Sequence, residues 1–185
     1  MKNKIIVGLL AVGLVLFTWM QIVYLPGQER MQEEEELEQL NPETHHFDKV
    51  LQYENLYMGN AGNNMNLVNH LPMSDVPRSF RQNPDEFRFT VHYQMTVEGV
   101  GKERVEKAVL YNATAIFVLI KNMEIVEFMF VDRTYTVTRE HVNNWFGEDI
   151  ASYKNEEVFM EKVQQPIIEK SQLDEWFSAY TKGEI

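Results

Sequence analysis

The sequence predicts an α+β protein: a single N-terminal transmembrane helix, then a small, mostly antiparallel sheet covered on one face by a long helix, with additional terminal helices. Three patterns predict it. Ile5 to Leu25 is an apolar run broken only by Gly8, Gly13, Thr18 and Gln21; Phe87 to Glu98 alternates apolar and polar residues with period two; Glu103 to Asn122 switches to a helical period.

The apolar run has the length of a membrane span, since ~20 helical residues rising ~1.5 Å each match a hydrocarbon core of roughly 30 Å. Helix is the only conformation that satisfies the backbone of a single segment in lipid. Lys2 and Lys4 precede the run, and Glu29 and Glu33 to Glu36 follow it. The positive-inside bias therefore places the N-terminus in the cytoplasm and the C-terminal domain outside. Trp19 and Tyr24 suit the far headgroup layer, and Pro26-Gly27 is expected to stop the helix. A cleaved signal peptide is the main rival. Its exit needs an Ala-x-Ala-like pair of small residues, which Gln21 to Gly27 lacks. The expected organisation is a cytoplasmic tail at 1–4, a transmembrane helix at 5–25, an acidic stalk at 26–46 and an extracytoplasmic α+β domain at 47–185. The expected location is the cell membrane, single-pass, with a tail too short to signal by itself.

The formal charge of −11 argues against nucleic acid as a partner, because such a surface repels phosphate backbones. The absence of cysteine removes disulfides, thiolate metal sites, cysteine nucleophiles and a lipidated-cysteine anchor together. No cofactor motif is present.

Gln28 to Glu43 is acid-rich with only a narrow apolar stripe, hence the stalk. Phe47, Val50, Leu51 and Tyr53 to Tyr57 open the folded domain as a helix or extended segment. Gly59-Asn60 signals a turn, with Asn60 as the N-cap of a short helix from about Ala61 to His70 that ends before Pro72. In Phe87 to Glu98, Phe87, Phe89, Val91, Tyr93, Met95 and Val97 form the apolar face of a strand that ends at Gly99 and Gly101. Val105, Val109, Ala113, Ile116 and Ile120 then make the stripe of the covering helix. Ile125 to Val131 and Tyr135 to Val137 read as two strands joined at Asp132-Arg133. Thr138-Arg139-Glu140 opens a helix through Trp145 that Gly147 stops, and Ser171-x-x-Asp174 resembles a capping box opening a C-terminal helix with Leu173, Trp176, Phe177 and Tyr180 inward.

Two stretches carry a family resemblance: Tyr57 to Pro72 (YMGNAGNNMNLVNHLP) and Asn112 to Phe130 (NATAIFVLIKNMEIVEFMF). They resemble the bacterial domain of unknown function number 4825, with matching positions at Tyr57, Gly59, Leu67, Leu71 and Pro72, then Asn112, Ala113, Phe117, Ile120, Asn122 and Phe128. The resemblance implies an extracytoplasmic, membrane-tethered domain from about Phe47 to Tyr180 and implies no catalytic residue. Asn60 stands where the family commonly has Asp; both cap helices, which points to a structural role.

Several groups are candidate sites. His45-His46 with Glu43 and Asp48 has metal-ligand residue types, but adjacent loop histidines seldom converge, and a solvated stalk is the simpler reading. Asn60, Asn63, Asn64, Asn66 and Asn69 with His70 offer a polar groove, against which stands ordinary capping chemistry. His92 beside a carboxylate such as Asp75, Asp85 or Glu86 has the ingredients of a general base, yet no nucleophile motif accompanies it. Trp145, Phe146, Trp176 and Phe177 have core spacing. The preferred candidate is the polar side of the strand, Arg88, Thr90, His92, Gln94 and Thr96, as a face for a protein or peptide partner at the cell surface. The expected function is a binding or regulatory module and not an enzyme. The alternatives are an envelope hydrolase using a His–carboxylate pair and a structural subunit of a membrane complex.

Overall fold

The computed structural model describes residues 2–180, which fall into two compact units, Met1–Leu37 and Glu38–Ile185. In the first, helix α1 (Lys2–Trp19), a π-helical turn (Met20–Tyr24) and helix α2 (Leu25–Gln39) follow without a break. The helix is long and apolar enough to cross a membrane, and Leu9, Leu10, Leu14 and Phe17 are among its exposed apolar side chains. Contrary to expectation, Pro26-Gly27 does not stop it. Proline lacks an N–H, and its ring collides with the carbonyl four residues back. The π turn just before Pro26 lets the Leu25 N–H bond the Met20 carbonyl, five residues back, which widens the helix where the ring must fit. The glutamate- and glutamine-rich stretch that follows is good helix-forming sequence, so part of the expected stalk is helical.

The second unit opens with a 3-10 helix (Phe47–Tyr53) and continues with α3 (Ala61–Asn69), β1 (Arg78–Asn83), a 3-10 turn (Pro84–Glu86) and β2 (Arg88–Tyr93). Then come α4 (Val97–Val100), α5 (Lys102–Leu119), β3 (Ile125–Met129), β4 (Thr134–Thr138) and α6 (Arg139–Phe146). A 3-10 turn (Ile150–Ser152), α7 (Glu156–Phe159), a second π turn (Met160–Gln164), α8 (Gln165–Ile168) and α9 (Lys170–Tyr180) complete it. The second π turn also lies just before a proline, Pro166, so one backbone device serves both places.

The strands form one sheet in the order β1-β2-β3-β4, with antiparallel outer pairs and a parallel β2–β3 pair. The expected antiparallel character holds at the edges. The centre is parallel because α5 carries the chain over from the end of β2 to the start of β3, the kind of connection that parallel neighbours require. β1 was not foreseen: Arg78–Asn83 holds a single apolar side chain, Phe80, so it shows no alternation.

β2 is shorter than its alternating pattern. Phe89, Val91 and Tyr93 are buried as expected, but Phe87 sits before the strand in a left-handed conformation, and Met95 lies past its end, both exposed. Val97 is buried from α4, where the Thr96 hydroxyl accepts from the Gly99 N–H and starts a helical turn. The hydroxyl cap overrides an alternation that continues by coincidence.

α5 does more than cover the sheet. Every residue from Ala108 to Leu119 is buried, and the helix shares one core with Phe89, Val91, Val126 and Phe128 on the sheet while touching the Ile150–Ser152 turn and α8. Two of its interior polar side chains are tied to backbone: Thr114 Oγ1 donates to the Leu110 carbonyl (2.8 Å) and Asn112 Nδ2 to the Pro72 carbonyl (2.9 Å). Just beyond its C-terminus, Arg139 donates to the carbonyls of Ile120 (2.8 Å) and Met123 (2.9 Å) and stacks over Phe117.

α3 and α6 match their sequence signals. Asn60 Oδ1 accepts from the Asn63 N–H, Thr138 Oγ1 accepts from the His141 N–H, and Gly147 closes α6 at φ 69°. In α9, Leu173 and Trp176 are buried and Phe177 is half-buried; the side chains of Ser171 and Tyr180, the former central to the expected capping box, lie outside the described residues.

The end of the expected stalk is a correction. Pro42 and His45 are buried, and Gln164 Nε2 donates to both of their carbonyls at 3.0 Å. Lys107 of α5 reaches Glu43 at 2.5 Å and Glu103 at 2.7 Å. Residues 42–45 are thus built into the second unit by long-range bonds that no local pattern announces.

Candidate functional site

Strand pairing puts side chains in rows across the polar side of the sheet. Asn83, Arg88, Ile125 and Thr138 form one row; Arg81, Thr90, Glu127 and Thr136 the next; Ser79, His92, Met129 and Thr134 the third. Arg81 and Thr136 are exposed, and Arg88, His92, Glu127 and Met129 are partly so. The middle of this face sinks into a shallow concavity of ≈ 410 Å³.

Its electrostatics are organised around Glu127. That carboxylate pairs with the Arg88 guanidinium and accepts from Thr90 Oγ1 at 3.0 Å, while Arg88 Nε lies 2.9 Å from Glu86. Arg81 has no carboxylate within ion-pair distance among the described residues, so its charge remains available at the rim. The face therefore offers donor groups on Arg81, Asn83 and His92 around Glu127, whose carboxylate the buried Thr90 hydroxyl and Arg88 hold in place. β1 and β4 are edge strands, each with one side unpaired in the sheet.

Of the five residues expected on this face, Arg88, Thr90 and His92 lie on it. Gln94 and Thr96 do not: the Gln94 N–H donates to the Pro77 carbonyl beyond the strand end, and Thr96 caps α4. The residues missed were those of β1, which has no periodic signal, and Glu127 and Met129, whose facing follows only from the parallel register. The threonines of β4 alternate with Tyr135 and Val137 and were legible as an outward side.

The other histidines divide. His45 is buried: Nδ1 accepts from the Tyr111 hydroxyl at 2.7 Å and Nε2 donates to the His70 carbonyl at 2.8 Å. Burial is the chief reason its pKa falls to about 4; the nearby charges of His46 and Lys49 also lower it, whereas the bond to His70 and the charge of Asp48 raise it. His70 bonds the Asn66 carbonyl (2.8 Å) and Tyr53 (3.2 Å). His46 points outward, with Nδ1 3.6 Å from Glu156 and Nε2 3.8 Å from Glu38. The group read from sequence as His45, His46, Glu43 and Asp48 therefore comes apart: His45 enters the core, Glu43 pairs with Lys107, and His46 and Asp48 meet Glu156.

The asparagine cluster serves the fold. Asn63 Nδ2 donates to the Tyr53 carbonyl (2.7 Å), Asn64 Nδ2 to the Met58 carbonyl (2.7 Å) and Gln82 (2.9 Å), and Asn69 accepts from Arg78 (2.6 Å). Trp145 and Phe146 pack against the core, and Trp176 is fully inside it.

The two motif stretches are joined by their own polar residues. Asn122 Oδ1 accepts from the Met58 N–H at 2.6 Å, and Asn112 holds the Pro72 carbonyl, so the second stretch grips the first near both its ends. Tyr57 stands apart, with 67% of its surface exposed.

No curated protein and no solved structure matches the chain. The family model described as "Domain of unknown function (DUF4825)" matches residues 50–140, a span holding all four strands, α5 and both motif stretches. By that match residues 50–140 form a DUF4825 domain.

Proposed function

We propose that this protein is a single-pass, membrane-anchored binding module of a bacterial envelope, its N-terminus cytoplasmic and its second unit extracytoplasmic, whose open sheet face takes an extended polar segment of a partner protein or peptide. The observation that carries this reading is the polar face itself: three rows of side chains around the Arg88–Glu127 pair, exposed at Ser79, Arg81 and Thr136 and partly exposed at Arg88, His92 and Glu127, with Arg81 offering a charge to a partner carboxylate. Polar side chains on a rigid sheet supply specificity, and the unpaired edges of β1 and β4 supply main-chain bonds to an extended segment. The long apolar helix at the N-terminus supports the anchor, and the lysines before it support its orientation.

The test is site-specific photo-crosslinking in intact cells from Ser79 and Thr136 on the face, with Gln52 and Glu157 as exposed controls elsewhere. A reproducible partner captured from the face positions alone is expected. Capture of no reproducible partner, or equal capture from the controls, overturns the reading, and loss of a substrate-consuming activity on His92→Ala replaces it with the hydrolase. External protease should remove a C-terminal tag from spheroplasts; a protected tag reverses the topology.

A further inference from the structure

We propose that His46, Asp48 and Glu156 form a binding site for a divalent transition-metal ion such as Zn²⁺. One nitrogen of His46 and one oxygen from each carboxylate lie within 4.8 Å of one another, although Glu156 is 108 residues from Asp48 in sequence. Convergence across that separation is a product of the fold. The His46 Nδ1–Glu156 Oε1 distance of 3.6 Å exceeds a hydrogen bond. It is close to the separation of two ligands on one ion, since bonds of ~2.0–2.1 Å at tetrahedral angles put neighbouring donors roughly 3.4 Å apart.

Two further features fit the same chemistry. The Asp48 N–H donates to Glu156 Oε2 at 2.8 Å, which fixes that carboxylate and leaves Oε1 turned to His46. On the far side of the imidazole, Nε2 faces Glu38 Oε2 at 3.8 Å, just beyond a hydrogen bond. A carboxylate behind the non-ligating nitrogen is the usual outer partner of a metal-bound histidine, and a small side-chain rotation on metal binding would bring Glu38 close enough to fix the tautomer and raise the basicity of the ligating nitrogen. One imidazole and two carboxylates suit Zn²⁺ or Mn²⁺ and do not suit soft ions that seek sulfur. Three protein ligands leave at least one position to water. The ion balances two adjacent carboxylates on an acidic chain and clips the start of the second unit to α7. The site is separate from the sheet face, so it stands or falls independently of the proposed function.

The test uses the full-length chain in detergent, stripped with a chelator, and titrated calorimetrically with ZnCl₂ and, for comparison, MgCl₂. Saturable binding of one Zn²⁺ per chain is expected. His46→Ala should weaken it at least tenfold, and Glu38→Gln roughly 10- to 100-fold, with circular dichroism unchanged in both. Zn²⁺ should raise the thermal midpoint of the parent chain and not of His46→Ala. The proposal is overturned if the parent chain shows no saturable Zn²⁺ binding, if His46→Ala binds as the parent does, or if replacing Glu33 and Glu34 by Gln abolishes binding.

Discussion

The two faces of the four-stranded sheet are made by the same short strands and carry opposite chemistry. On one, Phe89, Val91, Val126, Phe128, Tyr135 and Val137 are no more than 2% exposed and Tyr93 only 4%. On the other, each apolar residue has a polar or partly exposed neighbour in sequence, and the middle row runs Arg81, Thr90, Glu127, Thr136. Strand geometry forces this alternation but does not dictate what the outward side chains are. The difference separates two burdens: α5 and the helices around it hold the sheet from one side, which relieves the outward side chains of packing the core.

The separation predicts a gradient of substitution effects. Phe128→Ala on the inner face should cost about 3–5 kcal/mol of unfolding free energy, read by urea denaturation of the second unit in the full chain. A loss under ~1 kcal/mol would mean that the inner face is not the core. Next comes the buried polar interior. His45 is held neutral, with its pKa lowered from 6.5 to about 4. The unfolded chain therefore binds a proton that the folded chain refuses between those values, so the stability is present above pH 6.5 and is lost as pH falls toward 4. The loss is about 3 kcal/mol from a shift of this size. In chelator-treated protein His45→Gln should flatten that slope, and an unchanged slope would remove His45 as its source.

Smaller again is Asn112→Ala, which leaves the buried Pro72 carbonyl without its donor and should cost about 1–3 kcal/mol. It should also loosen the Tyr57–Pro72 stretch, seen as faster amide exchange over α3; protection equal to the parent's would show that the stretch is held by other contacts. The smallest effect belongs to the outer face. Arg88→Ala breaks a partly exposed ion pair and should cost no more than about 1 kcal/mol while abolishing partner capture from Ser79. A large loss of stability there would erase the contrast between the faces.

The parts legible in sequence were those decided within a few residues: the apolar helix, the Asn60 and Thr138 caps, the β3–β4 hairpin and the buried side of β2. What was hidden depends on distant residues. His45 is placed by Tyr111 and by the carbonyl of His70, 66 and 25 residues away, and on its own segment it looks like a polar loop residue. β1 lacks a pattern because it is an edge strand with one apolar contact to make. Half of the polar face was invisible for a related reason: Glu127 comes beside Thr90 only through the β2–β3 register, which a reading of β2 alone cannot supply. At Pro26 the helix continues because the π turn before it accommodates the ring, a backbone adjustment that residue types alone do not announce.

The parallel pairing of β2 and β3 also has a kinetic side. The β1–β2 and β3–β4 pairs each close across a short turn, the kind of event that takes microseconds in isolated hairpins. The central pair must wait until the chain from Gln94 to Glu124, α5 included, has been gathered between them, and closing that longer span has to precede any contact that rewards it. Sequence separation thus predicts that the two hairpins form first and that their meeting waits on α5, so that the polar face of three rows is completed last.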